Sequence, residues 1–137
     1  MTLQECLISI KNYRDSFGLI TQANKDGGDT ANRTGMYYTY LKLLGAPNDD
    51  LGRPLMSGLS EDLSKLEKYP GRYRRHPDPA HWYSNIWNFT RDQSIQLQAA
   101  MSMFLLAKKA TILFFARSLI GMFNFNFETW GRQSCNI

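Results

Sequence analysis

The sequence predicts an all-α protein of antiparallel helical hairpins packed around a long buried helix in the C-terminal half. Three observations predict it. Apolar residues recur at helical spacing in separate segments, capping residues stand at the starts of those segments, and glycine or proline closes them. At 137 residues the chain has the length of one domain, 1–137, and can bury a core without metals or crosslinks. Its 43% apolar and 20% charged residues exclude a disordered chain or a membrane protein by composition.

The first helix is expected from Leu3 to Arg14. Thr2 and Glu5 have capping-box spacing, and Leu3, Leu7, Ile10 and Tyr13 share a face. Phe17 to Gln22 is a short apolar stretch that suits extended chain. Asn24 to Thr30, with Gly27 and Gly28 at its centre, is a turn. A second helix is expected from Thr30 to Leu44, with Asp29 or Thr30 as N-cap, Gly45 as stop and Pro47 beyond. Met36, Tyr37, Tyr40, Leu41 and Leu44 form its apolar face.

Ala46 to Gly58 reads as loop, followed by a short third helix from Glu61 to Lys68 capped by Ser60. Pro70-Gly71 ends that helix. From there to Phe89 the chain has no helical period and is rich in proline, arginine, histidine and aromatics, a composition that marks a functional connection. Thr90 and Gln93 have capping-box spacing again, and the long helix is expected from there to Met122. Lys108 and Lys109 interrupt its apolar run short of the roughly 20 residues needed to cross a bilayer, so no membrane span is expected. Phe123 to Phe127 reads as loop or short strand, with Trp130 anchoring the tail.

Only two cysteines occur, Cys6 and Cys135, with neither zinc-site nor disulfide-framework spacing. Met1 to Ile10 has no signal-peptide pattern, so free thiols and a cytoplasmic location are expected. His76, Asp78 and His81 match no metal-ligand spacing, the glycines match no phosphate-binding motif, and no cofactor or metal is expected.

Helix N-termini point free amides outward and favour carboxylates. Asp26 and Asp29 precede the second helix and Arg91 and Asp92 open the fourth, while the long loop brings His76, Asp78, His81, Trp82 and Tyr83. Both Asp29 and Asp92 are also accounted for by capping and the helix dipole alone. A polar pocket forms only if the two turns meet. The net charge of +4 includes a run at Lys68, Arg72, Arg74 and Arg75 interleaved with Tyr69 and Tyr73. Such a loop could hold an acidic partner, but one short run in a modestly charged chain argues against nucleic acid. Helices this apolar also allow a homo-oligomer or a partner subunit.

Gly18-Leu19-Ile20, Asp26-Gly27-Gly28-Asp29-Thr30, Asn32-Arg33-Thr34-Gly35-Met36, Arg75-His76-Pro77, Trp82-Tyr83-Ser84 and Arg91-Asp92-Gln93 together resemble the N-terminal part of (α/α)-toroid proteins of the six-hairpin glycosidase type. The resemblance covers residues 17 to 107. It implies a carbohydrate cleft at the helix-joining loops, with Asp29 and Asp92 as acid and base. It further implies Asp26, Arg33, Arg75 and His76 as substrate contacts, and Trp82 and Tyr83 as a sugar platform. A closed toroid needs about a dozen helices, and this chain predicts four. The resemblance therefore implies a partial toroid, either a shortened relative or one completed by a partner. Two functions follow as expectations: a carbohydrate-binding or carbohydrate-active protein, or a small non-catalytic interaction protein using the basic aromatic loop.

Overall fold

The computed structural model describes residues 2–104. The expected helix beyond Phe104, the Phe123 to Phe127 segment, Trp130 and Cys135 lie outside the described residues. The architecture is mostly helical with one small hairpin: α1 (Leu3–Ile10), a 3-10 turn (Lys11–Tyr13), α2 (Thr30–Leu43), α3 (Leu55–Leu66), β1 (Glu67–Tyr69), β2 (Arg72–Tyr73), 3-10 turns at Trp82–Ser84 and Ile86–Asn88, and α4 (Arg91–Phe104).

Helix α1 starts on the expected capping box, with the Glu5 amide donating to Thr2 Oγ1 and the Thr2 amide to Glu5 Oε2. The first two turns of helix are thereby nucleated on an eight-residue segment that isolated chain would barely hold. Leu3, Leu7 and Ile10 rest against the core, yet no residue of α1 is fully buried.

Helix α2 ends as its sequence requires. Gly45 adopts a left-handed φ of 69°, its amide donates to Lys42 O, and the Ala46 amide reaches back to Leu41 O, which satisfies two otherwise orphan carbonyls. It starts at Thr30 with Asp29 at the N-cap position, as expected, but the cap is made differently. Asp29 caps nothing with its side chain. Instead the Gln93 carboxamide crosses from α4, accepting from the Asn32 amide at 2.8 Å and donating to Asp29 Oδ1 at 3.1 Å. Gln93 therefore does not close a box with Thr90; it caps the neighbouring helix. A carboxamide offers both donor and acceptor and can do both jobs at once.

Helices α2 and α4 pack intimately, and they run parallel, not antiparallel. Asp29 meets Gln93 at one end, Gly35 faces Gln96 and Leu97 midway, and Lys42 lies over the Phe104 ring at the other. The physical reason is the connection between them, which contains α3 and the hairpin and is long enough to carry the chain back to the start of α2; short loops enforce the antiparallel arrangement. The close approach needs Gly35, because a Cβ there would stand 2.3 Å from the Gln96 carbonyl carbon.

Helix α3 begins six residues earlier than expected, directly after Pro54, and Ser60 lies inside it rather than at its cap. Leu55, Leu59, Leu63 and Leu66 recur at helical spacing and are buried, so tertiary packing extends the helix back through Met56 to Gly58. The helix also stops earlier. Glu67 to Tyr69 pairs with Arg72 and Tyr73 in an antiparallel hairpin whose turn is Pro70-Gly71. Pro70-Gly71 therefore closes a hairpin and not a helix, consistent with the preference of proline followed by glycine for a tight turn. The core joins Leu19, Tyr38, Leu59, Leu63, Leu66, Tyr73, Leu97 and Met101, all fully shielded. Each such leucine contributes about 2 kcal/mol of burial.

Candidate functional site

Arg14 to Gly18 leaves α1 in a turn with aspartate first and glycine fourth, a spacing that favours tight turns. Gly18 donates its amide to Asp15 O at 2.9 Å and has a φ of 71°. The turn fixes the Asp15 carboxylate, whose Oδ1 accepts from the amides of Phe17 and Leu19. Asp15 Oδ2 then lies 2.5 Å from His76 Nε2, in a pair whose side chains are only 9% and 3% exposed. On the other side of the ring the Asp78 amide donates to His76 Nδ1 at 3.1 Å. An Nδ1 that accepts leaves the proton on Nε2, pointing at Asp15. Both nitrogens of His76 are thus committed, and the ring serves as a fixed wall rather than as a base.

Around it stands a continuous run of rings. Phe17 meets His76 edge-on at 5.1 Å, His76 meets Tyr83 edge-on at 6.0 Å, His81 stacks on Tyr83 at 4.7 Å, and Trp82 meets Tyr83 at 5.8 Å. Gly27 closes the back: a Cβ there would come within 2.7 Å of the imidazole. Burial pushes the Tyr83 phenol above its ordinary value, with Asp26, Asp78 and Asp15 adding to the shift. The cleft so formed has a volume of about 380 Å³, within the size range of small-molecule sites. Asp78, half-buried with Oδ2 3.4 Å from His81 Nε2, and Lys25 supply charge to it. Lys25 Nζ donates to the carbonyls of Asn12 and Arg14 and lines the same cleft.

The residues singled out from the sequence divide among three places. His76 and Tyr83 line the cleft, and exposed Trp82 adjoins it with the Arg75 guanidinium 5.4 Å over its ring. Asp26 folds into its own turn, accepting the Gly28 amide at 2.8 Å. The two helix-start turns do meet, through Gln93 and through Arg75, which donates to Asn88 O, Gly28 O and Thr90 Oγ1. Asp29 and Asp92, however, are not among the residues that line the His76 cleft. The Asp92 side chain is 75% exposed, with its nearest cation, Arg91, 3.8 Å away. Arg33 lies on another face, in a groove between α1 and α2. Asp15, Phe17 and Lys25 were not among the expected site residues; the aspartate-to-glycine turn signal at Asp15 and Gly18 was the available cue.

The basic aromatic loop is largely turned inward. Tyr73 is fully buried, Arg74 donates to Lys65 O, and Arg75 is held by the three oxygens named above. Desolvation lowers the Arg74 pKa, and Lys68 lies over the Tyr69 ring.

A second polar cluster is sealed beneath the surface. Arg14 grips Asp50 with two hydrogen bonds of 2.7 and 2.6 Å and reaches Asp62 at 3.3 Å; Arg53 pairs with Asp49 at 2.8 Å and Asp62 at 3.2 Å. Tyr37 donates to Asp50, and Tyr38 lies within hydrogen-bond distance of Asp49 and Asp62. Burial alone would lower the Arg14 pKa, but the hydrogen bond to Asp50 and the charge of Asp62 hold it above its ordinary value. Burial likewise pushes the Tyr37 and Tyr38 phenols up. The cluster ties the turns at Arg14 to Gly18 and Asp49 to Arg53 onto α2 and α3, and the Asp50 and Asp62 carboxylates have no exposure.

Among the described residues no group of three or more histidine, cysteine and acidic side chains could hold a metal ion, and no helix is long and apolar enough to cross a membrane. The site and fold define a mostly helical protein with an aromatic cleft built on a locked histidine. Compared with known proteins, the chain matches no family model, no curated protein and no solved structure.

Proposed function

We propose that this chain binds carbohydrate in the cleft walled by Phe17, His76, His81 and Tyr83, in keeping with its resemblance to the N-terminal part of toroid proteins of the six-hairpin glycosidase type. The observation that carries the reading is the unbroken run of rings from Phe17 to Trp82 beside the Asp78 carboxylate. Sugar rings present C–H edges that pack on the electron-rich faces of aromatic rings, and hydroxyls that donate to carboxylates. Trp82 is 66% exposed and Phe17 and His81 are also open, so flat apolar surface stands where a ligand can reach it.

Asp15 has its oxygens committed to two amides and His76, whereas Asp78 uses Oδ1 for the Ala80 amide and keeps Oδ2 toward His81. Asp78 is therefore the acceptor for a ligand hydroxyl. Glycoside hydrolysis needs two carboxyls flanking one bond. With Asp29 and Asp92 outside the cleft lining and Asp15 saturated, the geometry favours binding over hydrolysis.

The test is titration of soluble neutral oligosaccharides of glucose, mannose, galactose and N-acetylglucosamine, followed by tryptophan fluorescence and calorimetry. At least one series should bind, and Trp82→Ala and Asp78→Asn should each weaken it about tenfold, equivalent to about 1.4 kcal/mol. Absence of binding to every series, or binding indifferent to both substitutions, would overturn the reading.

A further inference from the structure

On the face of α2 that looks toward α1, the apolar stripe expected from sequence is only half covered. Tyr37 and Leu41 are buried, but Tyr40 is 56% and Leu44 67% exposed. Between this stripe and Leu3, Leu7 and Ile10 of α1 runs a groove of about 330 Å³, a volume suited to a small molecule. Among the described residues its lining is mostly apolar and holds one charged residue, Arg33. From Arg33 to Leu44 the groove follows α2 for about 16 Å at the helical rise per residue.

Arg33 is the observation that says what fits. Its Nε is buried and has no hydrogen-bond acceptor, and among the described residues its guanidinium has no ion-pair partner. Arg14 and Arg53, in the separate buried cluster, are by contrast matched to carboxylates. A planar guanidinium set in an apolar wall is matched by a carboxylate, which accepts two parallel N–H bonds. The rest of the groove offers mainly hydrocarbon and ring surface, with the phenols of Tyr37 and Tyr40, the Met36 thioether and the exposed thiol of Cys6.

We propose that the α1/α2 groove binds a linear alkyl carboxylate, its chain lying along α2 toward Leu44 and its carboxylate paired with Arg33. This site is separate from the His76 cleft and stands whether or not that cleft takes sugar.

Cys6 gives the readout, since it lines the groove. In the full chain carrying Cys135→Ser, alkylation of Cys6 by a soluble maleimide is followed with dodecanoate or dodecanol, each below the concentration at which it aggregates. Dodecanoate should slow alkylation at least tenfold at saturation, and dodecanol should need about tenfold higher concentration. Arg33→Met should abolish the preference for the acid while keeping the thermal melt of the parent, and Met36→Trp, which fills the groove, should reduce protection by both. No protection by dodecanoate, equal protection by the alcohol, or an Arg33→Met protein that still prefers the acid would each overturn the proposal.

Discussion

Asp50 and Asp62 show how two carboxylates with no exposure titrate in opposite directions. Burial raises both, but Asp50 receives two hydrogen bonds from Arg14 and one from Tyr37 and ends below the usual carboxylate value. For Asp62 burial outweighs the attraction of Arg14 and Arg53, and its value ends above. The signs follow. Folded Asp62 keeps its proton to higher pH than an unfolded carboxyl of about 3.9, so its contribution to stability is full below that value and is lost as pH rises through the raised folded value. Asp50 contributes fully above the unfolded value and loses that contribution as pH falls through its lowered one. Asp50→Asn should cost about 3–5 kcal/mol, because Arg14 loses its main partner in a buried site. Asp62→Asn should cost less and should flatten the decline of stability as pH rises from about 4, measured by denaturant unfolding across a pH series. Equal costs, or an unchanged pH slope, would contradict this account.

At the scale of elements, the α2/α4 pair depends on Gly35 and Gln93. Gly35→Ala places a methyl 2.3 Å from main-chain carbon of α4, which cannot rotate away as a side chain would. The variant should lose about 3 kcal/mol, read from the denaturant midpoint, and a neutral result would mean that the helices separate freely. How much could be read beforehand follows the same division. The Thr2 and Glu5 box and the Gly45 stop are local chemistry, and both stand where the sequence places them. Gln93 carries the same local signature as Glu5 yet turns to another helix, since a competing partner 61 residues away in sequence leaves no trace in the sequence around it. The start of α3 at Leu55 is set by burial of its leucines against the core, which overrides the loop signals before Gly58.

For the molecule as a whole, burial is uneven. Helix α1 has no buried residue, while α2 and α4 bury residues along their whole lengths. Local opening should follow that gradient. In native-state hydrogen exchange the amides of Leu7 to Ile10 should exchange fastest among the helical segments and those of Tyr38, Leu41, Leu97 and Met101 slowest; α1 protection equal to that of α4 would refute the gradient. The candidate cleft was partly legible because His76, Trp82 and Tyr83 cluster in one irregular stretch. Its other wall was not, because Asp15 and His76 are 61 residues apart and meet only through the tertiary fold.

The Gln93 carboxamide that closes the start of α2 sits 64 residues downstream of Asp29. On a ribosome adding about 5–20 residues per second, the first turn of α2 is synthesised roughly 3 to 13 seconds before its cap exists. Throughout that interval the nascent chain exposes Gly35, the point at which α4 will pack against α2. Translation speed across the intervening stretch therefore sets how long a half-made helix pair is open to the wrong neighbour.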